Sequence, residues 1–370
     1  KRKMIVLASA DKIFVNGPAA AWGMVVLACL LTRPAFGESF IVKDGLPCAE
    51  IVVSANPPRM AAYAAYEFQT NIFKITGATL PIVTTASPDV VKIYVGRSAY
   101  TDALGLSDTH LLHGAFLIKS GTNWLALLGH DADFTPPQPY NSSYSDKPRM
   151  MAEWDALTGQ TWENPHATLY KNFSGTKLGG LWLYDDRGSL NAVHEYLRGL
   201  GMRWFFPGEL GEVVPQVASL ALPVINKTVH PDFAYRNMYF YVHQFSHPDA
   251  TTNEIRWQLR LGLNAGRDVE GLSGMAHGIL PVINREEVRQ SHPEYYALWG
   301  GVRATNTPDP CLSIEGLYTQ NVAYVKAVFS IYSNDSPTVS VMPTDGYTSL
   351  CECPLCEGKD TPERGDSGKL

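Results

Sequence analysis

Residues 188–215 carry the sequence GSLNAVHEYLRGLGMRWFFPGELGEVVP, which predicts a helix followed directly by a strand. Ser189 can cap the helix, because a serine oxygen accepts one of the free N–H groups of the first turn. The apolar positions then recur at helical spacing, at Leu190, Val193, Leu197 and Leu200. Residues 203–206 follow as a predicted strand. The succession of a helix and a strand indicates an α/β fold.

Together with the chain before it, this tract predicts a small α/β domain, with a mixed sheet and helices, over residues 38–229. A helix is expected to begin at Pro57-Pro58 and to end at Gly77, since proline suits a first turn and glycine a C-terminal stop. Strands are predicted within 40–53, at 90–95 and in a hairpin over 115–128. Residues 131–177 are rich in Pro, Asn, Ser and Tyr without a clear period, and we expect a long loop or insertion there.

The chain after the tract alternates strands and helices, which predicts parallel β/α units. Strands are expected around 233–241, 263–269, 295–299 and 338–342, with helices around 253–261, 285–290 and 318–332. This pattern favours a (β/α)8 (TIM-type) barrel that starts at residue 230. A whole barrel takes about 250 residues. Residues 230–370 therefore predict an incomplete barrel, about the first half, in a chain expected to be inactive alone.

Several tracts resemble proteins that act on carbohydrates. The tract at 188–215 resembles the end of the N-terminal domain of α-glucuronidases, and it is similar to the domain that precedes the barrel of β-hexosaminidases. Residues 75–78 (ITGA) and 93–96 (IYVG) resemble earlier parts of that domain.

The second half resembles a family of secreted proteins of unknown function that carry the same N-terminal domain. The residues concerned are 292–298 (HPEYYAL), 311–313 (CLS), and Asp345-Gly346 ahead of 351–356 (CECPLC). The resemblance covers roughly residues 40–360, and it implies a glycoside-hydrolase-like architecture that would hydrolyse O-glycosyl bonds in polysaccharides. The insertion at 131–177 departs from the pattern of the family.

Asp345 is the candidate catalytic residue. Glycoside hydrolysis normally uses two carboxylates, and in a β/α barrel they lie at the C-terminal ends of strands, where Asp345 follows the predicted strand 338–342. The resemblance implies that Asp345 stands where α-glucuronidases carry their acid, which is a Glu in that family. The alternative is a simple turn, because Asp-Gly is a common turn pair. The sequence does not identify a second carboxylate.

Three further residues are candidate substrate-binding groups. Arg236 opens the first predicted barrel strand, as an arginine does in some relatives of β-hexosaminidases, where it holds sugar hydroxyls. His243 follows the same strand, and His277 lies after the second one. Each of these side chains could bind a sugar or a carboxylate, although each such residue alone more often has a structural role.

The cysteines form the most distinctive local pattern. Cys351, Cys353 and Cys356 follow one another at the spacing C-x-C-x-x-C, and Cys311 could be a fourth partner. Thiolates at this spacing could bind a structural zinc ion, whereas disulfides are the alternative in an oxidising compartment. The hydrolytic chemistry itself requires no cofactor.

The net charge and the sequence motifs indicate which classes of molecule the protein binds. The formal net charge is −6 and no dense Lys/Arg run occurs, which argues against nucleic acid. A polysaccharide or oligosaccharide is the expected partner. The alternative to a hydrolase is an exported, non-catalytic carbohydrate-binding protein. A zinc-dependent hydrolase is disfavoured, because no His-Glu-x-x-His run is present.

Residues 1–37 are predicted to be a signal peptide. Basic residues at the start precede an apolar run at 19–31, and Ala35 and Gly37 suit the small-x-small cleavage rule. The run is shorter than the about 20 residues that a membrane span needs. We therefore expect a secreted or periplasmic protein without a stable span after processing. A lipoprotein signal around Cys29 and a buried N-terminal helix are the alternatives.

Overall fold

The structure is a computed structural model that describes residues 39–140, 144–164, 180–182, 184–236, 250–264, 278–307, 309–332, 338–342, 350–360 and 363–365. The helices within these residues are α1 (Arg59–Thr76), α2 (Ala99–Ala103), α3 (Lys147–Thr158), α4 (Gly188–Gly199), α5 (Ala250–Arg260), α6 (Glu286–Ser291) and α7 (Glu315–Ile331). None of the helices within the described ranges has the length and hydropathy to cross a membrane.

The strands within the same ranges are β1 (Phe40–Lys43), β2 (Leu46–Pro47), β3 (Ala49–Val52), β4 (Ile82–Val83), β5 (Val91–Val95), β6 (Phe116–Ser120), β7 (Trp124–Gly129), β8 (Arg203–Trp204), β9 (Glu212–Val213), β10 (Leu220–Ala221), β11 (Asn226–Val229), β12 (Leu298–Trp299) and β13 (Val302–Arg303). The mixed α/β class predicted from the sequence is confirmed.

A six-stranded mixed sheet in the order β11-β6-β7-β5-β3-β4 is the centre of the first half. Strands β4, β3, β5 and β7 are parallel, while β6 and β11 run antiparallel to their neighbours. A smaller antiparallel sheet has the order β10-β1-β2, and β8 pairs with β9.

The alternation of side chains along the strands separates the two faces of the sheet. Helices α1 and α4 pack over one face, and with it they form what we call the first core. Its buried members include Ile51, Ile93, Leu127, Phe68 and Leu197. The opposite face carries a smaller cluster of buried residues, namely Val52, Tyr94, Leu106, Ala126 and Leu128.

Helix α1 ends as its sequence predicts. Gly77 follows the last turn with φ +78°, and its N–H donates to the carbonyl of Phe73. This left-handed conformation costs glycine no Cβ clash, so glycine is the natural residue at this helix end. The helix begins after Pro58, and its buried side includes Ala61, Ala64 and Phe68.

A second core lies between α3, α6 and α7. Its buried residues are Met150, Met151, Trp154, Trp162, Ile279, Val282, Ile283, Val288, Tyr295, Tyr296, Leu317, Tyr324, Val328 and Tyr332. The cluster is unusually rich in aromatic rings: Trp154 stacks on Tyr332 with 5.6 Å between ring centroids. Helix α3 comes from the segment predicted to be a loop or insertion, so that segment contains regular structure.

The predicted barrel strands fall largely outside the described residues. Residues 237–241 and 265–269 are not described, while residues 338–342 are described and are not a strand. The strand predicted over 295–299 is reduced to β12, which forms a hairpin with β13 through Gly300 and Gly301. These two glycines have φ values of +55° and +81°, which favour a tight turn. The (β/α)8 barrel therefore stays a prediction.

Candidate functional site

Four cysteines form the candidate site. Their sulfur atoms all lie within 4.8 Å of one another, and all four residues are buried. The Cys311 sulfur is 3.6 Å from that of Cys353 and 3.8 Å from that of Cys356. The prediction that Cys311 joins the C-x-C-x-x-C run, across about 40 residues of chain, is therefore consistent with the fold.

Short backbone contacts bring these cysteines together. The N–H of Cys311 donates to the carbonyl of Tyr295, and the N–H of Glu352 donates to the carbonyl of Leu298, at 2.8 Å in each case. The C-terminal segment 350–360 is thus held along hairpin β12–β13. Between Cys353 and Cys356 the chain turns back, with the Cys356 N–H 2.8 Å from the Cys353 carbonyl.

Two of the sulfurs make hydrogen bonds with neighbouring groups. The Leu298 N–H donates to the Cys351 sulfur at 3.3 Å, and the Cys356 thiol donates to the Ser313 hydroxyl at 3.1 Å. Lys359 donates to that same hydroxyl at 2.8 Å. A donor such as the Leu298 N–H stabilises a thiolate and orients a metal ligand.

The thiol of Cys353 has a pKa below its ordinary value. Burial alone would raise its pKa. Hydrogen bonds from the thiols of Cys351 and Cys311 and from the backbone N–H groups of Leu355 and Cys356 outweigh burial and bring the pKa of Cys353 to about 7. By contrast, burial raises the pKa of Cys311. A cation at the centre would favour the thiolate form of all four residues, because metal ligation deprotonates a thiol.

The sulfur distances are compatible with a metal site. A disulfide needs about 2.05 Å between its sulfurs, and all four cysteines are free thiols here. A tetrahedral zinc site with Zn–S bonds of about 2.3 Å places its sulfurs roughly 3.8 Å apart. Cys311 has distances of 3.6 and 3.8 Å to two of its partners, close to that edge, and all four sulfurs lie within 4.8 Å of one another. The four buried cysteines are therefore close enough together to bind a metal ion.

Arg236, which was predicted to bind substrate, is half-buried, and its side chain makes hydrogen bonds to backbone carbonyls. Its guanidinium donates to the carbonyls of Gly262 at 2.9 Å, Phe233 at 2.6 Å and His113 at 3.0 Å. Burial lowers its pKa. Three of its five guanidinium donors are thus engaged by the protein, and a sugar would have to share or replace these contacts.

The other predicted site residues lie outside the described part of the chain. Asp345, His243 and His277 are among them. Their roles as acid and as substrate-binding groups stay predictions.

A buried ionic cluster was not predicted from the sequence. Glu67 of α1 accepts from Arg260 of α5 at 2.9 Å and lies 3.4 Å from His194 of α4. Burial would raise the pKa of Glu67, but the hydrogen bond with His194 and the charge of Arg260 outweigh it and hold the pKa below its ordinary value. Burial lowers the pKa of His194, so its neutral ring donates from Nε2 to Glu67. The available sequence signal was a glutamate and a histidine placed on helix faces that are otherwise apolar.

Asp131 is a second titratable group that the sequence did not single out. It follows β7, and its Oδ1 accepts the N–H of Ser189 at 3.1 Å, near the start of α4. Its Oδ2 is buried without a hydrogen-bond partner among the described residues. Burial raises the pKa of Asp131 to about 7, against the opposing effect of Ser189.

We expect Asp131 to make the protein less stable as the pH rises. Its folded pKa exceeds the unfolded value of 3.8, so its stabilising contribution is complete below pH 3.8 and is lost as the pH rises towards 7. The loss is at most about 1.4 kcal/mol per pH unit. Asp131→Asn should remove this slope in urea denaturation between pH 5 and 8, whereas Asp133→Asn, at an exposed carboxylate, should retain it. An unchanged slope in Asp131→Asn would contradict the assignment.

A scan against protein-family models found no match, and a search of curated proteins found no similar protein.

Proposed function

We propose that the four cysteines bind one zinc ion in a structural role. The observation that carries the proposal is the mutual proximity of four buried sulfurs, which all lie within 4.8 Å of one another. Cys311, Cys351, Cys353 and Cys356 would supply all four ligands, which leaves no open position for a substrate or a reactive water. The ion would hold segment 350–360 against hairpin β12–β13.

The metal content of the purified protein tests this proposal. We expect about one zinc per chain by elemental mass spectrometry, and a loss of that zinc in Cys353→Ser. Cys48→Ser is the matched control, because Cys48 is a free cysteine outside the cluster. Alkylation in denaturant with a chelator and no reductant should label all four cluster cysteines. Unlabelled pairs would show disulfides, and the zinc proposal would then be wrong.

For the protein as a whole, we propose a glycoside-hydrolase-like role in the degradation of an acidic or decorated polysaccharide. What supports it is the resemblance of the tracts at 75–78, 93–96 and 188–215 to one N-terminal domain, together with their arrangement. These tracts belong to α1, β5 and α4–β8, and buried residues from all of them meet in the first core. The alternative, a non-catalytic carbohydrate-binding protein, shares this support. Export through residues 1–37 accords with either role.

An assay on a panel of uronic-acid and hexosamine glycosides distinguishes these roles when it uses a form of the protein with a complete barrel, because residues 1–370 are expected to be inactive alone. If the protein is a hydrolase with Asp345 as its acid, turnover should fall by 100-fold or more in Asp345→Asn, in the range of general acid catalysis. Asp89→Asn, at an exposed position, should retain full turnover. Binding to the same glycans without turnover would favour the non-catalytic role. Neither binding nor turnover would contradict both.

A further inference from the structure

The described residues of the segment predicted as an insertion, residues 131–177, contact both cores of the molecule. Its start, residues 131–140, lies against the sheet domain, whereas its helix α3 lies in the second core. The described parts of this segment are 131–140 and 144–164, and residues 180–187 lead back into α4. Its two attachments have different chemistry.

The base of the segment, where residues near 134 and 182 meet, is held by hydrogen bonds to one buried carboxylate. Asp185 accepts the N–H groups of Phe134 and Trp182 at 2.8 Å each, so it joins the outgoing and returning chains. Arg59, at the start of α1, donates to both oxygens of Asp185, at 2.6 and 3.2 Å. The ring of Phe134 packs edge-on against Trp182, with 5.5 Å between centroids. The base is thereby fixed to the N-terminal end of α1.

Helix α3 of the segment is attached to the second core mainly by aromatic packing. Trp154 is fully buried, stacks on Tyr332 at 5.6 Å and meets Tyr324 edge-on at 6.4 Å. The next residue, Asp155, accepts one hydrogen bond from each terminal nitrogen of Arg285, at 3.0 Å in both cases. Because both oxygens are engaged, this pair also fixes the orientation of α3.

Residues beyond α3 extend the attachment. The indole N–H of Trp162 donates to Gln320 of α7 at 3.1 Å, and Asn164 donates to the hydroxyl of Tyr332 at 2.9 Å. That hydroxyl in turn donates to the carbonyl of Pro139 at 2.8 Å. Polar groups buried at this contact thus depend on both parts of the chain, and separating the parts would leave them unpaired.

We propose that the described part of segment 131–177, residues 131–140 and 144–164, forms an arm that attaches the second core to the sheet domain, and that its helix α3 is an integral part of the folding unit formed by residues 278–307 and 309–332. The second core then belongs to a unit that is discontinuous in sequence, and the arm tethers this unit to the sheet domain. The proposal does not depend on the function of the protein.

Hydrogen exchange of the full chain under increasing urea tests the proposal. Cooperative units exchange their amides with a common free energy of opening. The amides of α3 should converge with those of α7 and differ from those of β5 and β7. If α3 opens at low urea while α7 stays protected, α3 is only a surface addition and the proposal is overturned. This measurement needs no substituted protein.

A matched pair of variants on α3 provides a second test. Trp154→Ala should accelerate exchange in both α3 and α7 by roughly 100-fold, as expected for a large cavity in a core, and leave β5 and β7 unchanged. Leu157→Ala, at a residue on the same helix that is 60% exposed, should change neither. Acceleration confined to α3, or acceleration equal in all these elements, would overturn the proposal.

Discussion

Removal of the metal from the four-cysteine cluster is expected to release segment 350–360 from hairpin β12–β13. The four cysteines and Ala297 are the buried members of the apolar cluster at this position, with Leu298 and Ile314 packed beside it. So small a cluster provides little hydrophobic stabilisation, whereas a structural zinc ion contributes about 10–16 kcal/mol in zinc-finger peptides at neutral pH. Chelation should therefore raise amide exchange in 350–360 by 100-fold or more.

Cys356→Ser should reproduce the effect of the chelator, and Cys48→Ser should not. Cys356 is a fully buried member of the cluster, while Cys48 is partly exposed in the sheet domain. Amides of β5 and β7 report on the first core and should keep their protection in every sample. If segment 350–360 remains protected after complete loss of metal, the segment is held by its peptide contacts and the structural role of the ion is wrong.

The parts of the fold that the sequence predicted correctly are those specified by neighbouring residues. Helix α1 has its proline start, its apolar side and Gly77 at its end within one short stretch, and the hairpin β6–β7 turns at Gly121. The C-x-C-x-x-C spacing likewise indicated a shared site before any distance was known. In each case the signal lies within about 20 residues, where periodicity and turn chemistry are most informative.

The features of the fold that could not be predicted depend on contacts between residues that are far apart in the sequence. The burial of Trp154 is produced by Tyr324 and Tyr332, and nothing in the sequence of the insertion points to those partners. Similarly, the sequence around Arg260 is that of an exposed helical arginine. The residue is buried because it pairs with Glu67, nearly 200 residues earlier in the chain. The strand predicted over 295–299 shows the converse error, since Tyr295 and Tyr296 have strand-like composition but occupy the second core.

The second large effect is expected at Arg260. Its side chain is 7% exposed and it contacts both Glu67 and Glu212. Removing one partner of a buried ion pair typically costs about 3–5 kcal/mol, because the other charge is left without compensation. Arg260→Met retains much of the packing over Trp204 and should lower the free energy of unfolding by about that amount at pH 7. Lys74 remains beside Glu212 at 2.6 Å, whereas the arginine that remains near Glu67, Arg256, is 3.9 Å away, so Glu67 is the carboxylate most affected.

The pH dependence of this loss separates a charge effect from a packing effect. In the unsubstituted protein the pKa of Glu67 is depressed, so its contribution is present above the unfolded pKa of 4.5 and is lost as the pH falls through the folded value. Without Arg260, burial should raise that pKa, and protonation of Glu67 would then relieve a charge that only the more distant Arg256 compensates. The deficit of Arg260→Met in urea denaturation should accordingly shrink from pH 7 to pH 5.

Two controls complete the test. Arg149→Met removes an arginine whose ion pairs with Asp146 and Glu153 are exposed on the surface of α3, and it should change stability little at either pH. Glu67→Gln combined with Arg260→Met removes both charges and should recover part of the stability lost in Arg260→Met alone, because no uncompensated carboxylate remains at that position. A deficit that is equal at pH 7 and pH 5 and unchanged in the double variant would mean that Arg260 acts through packing alone.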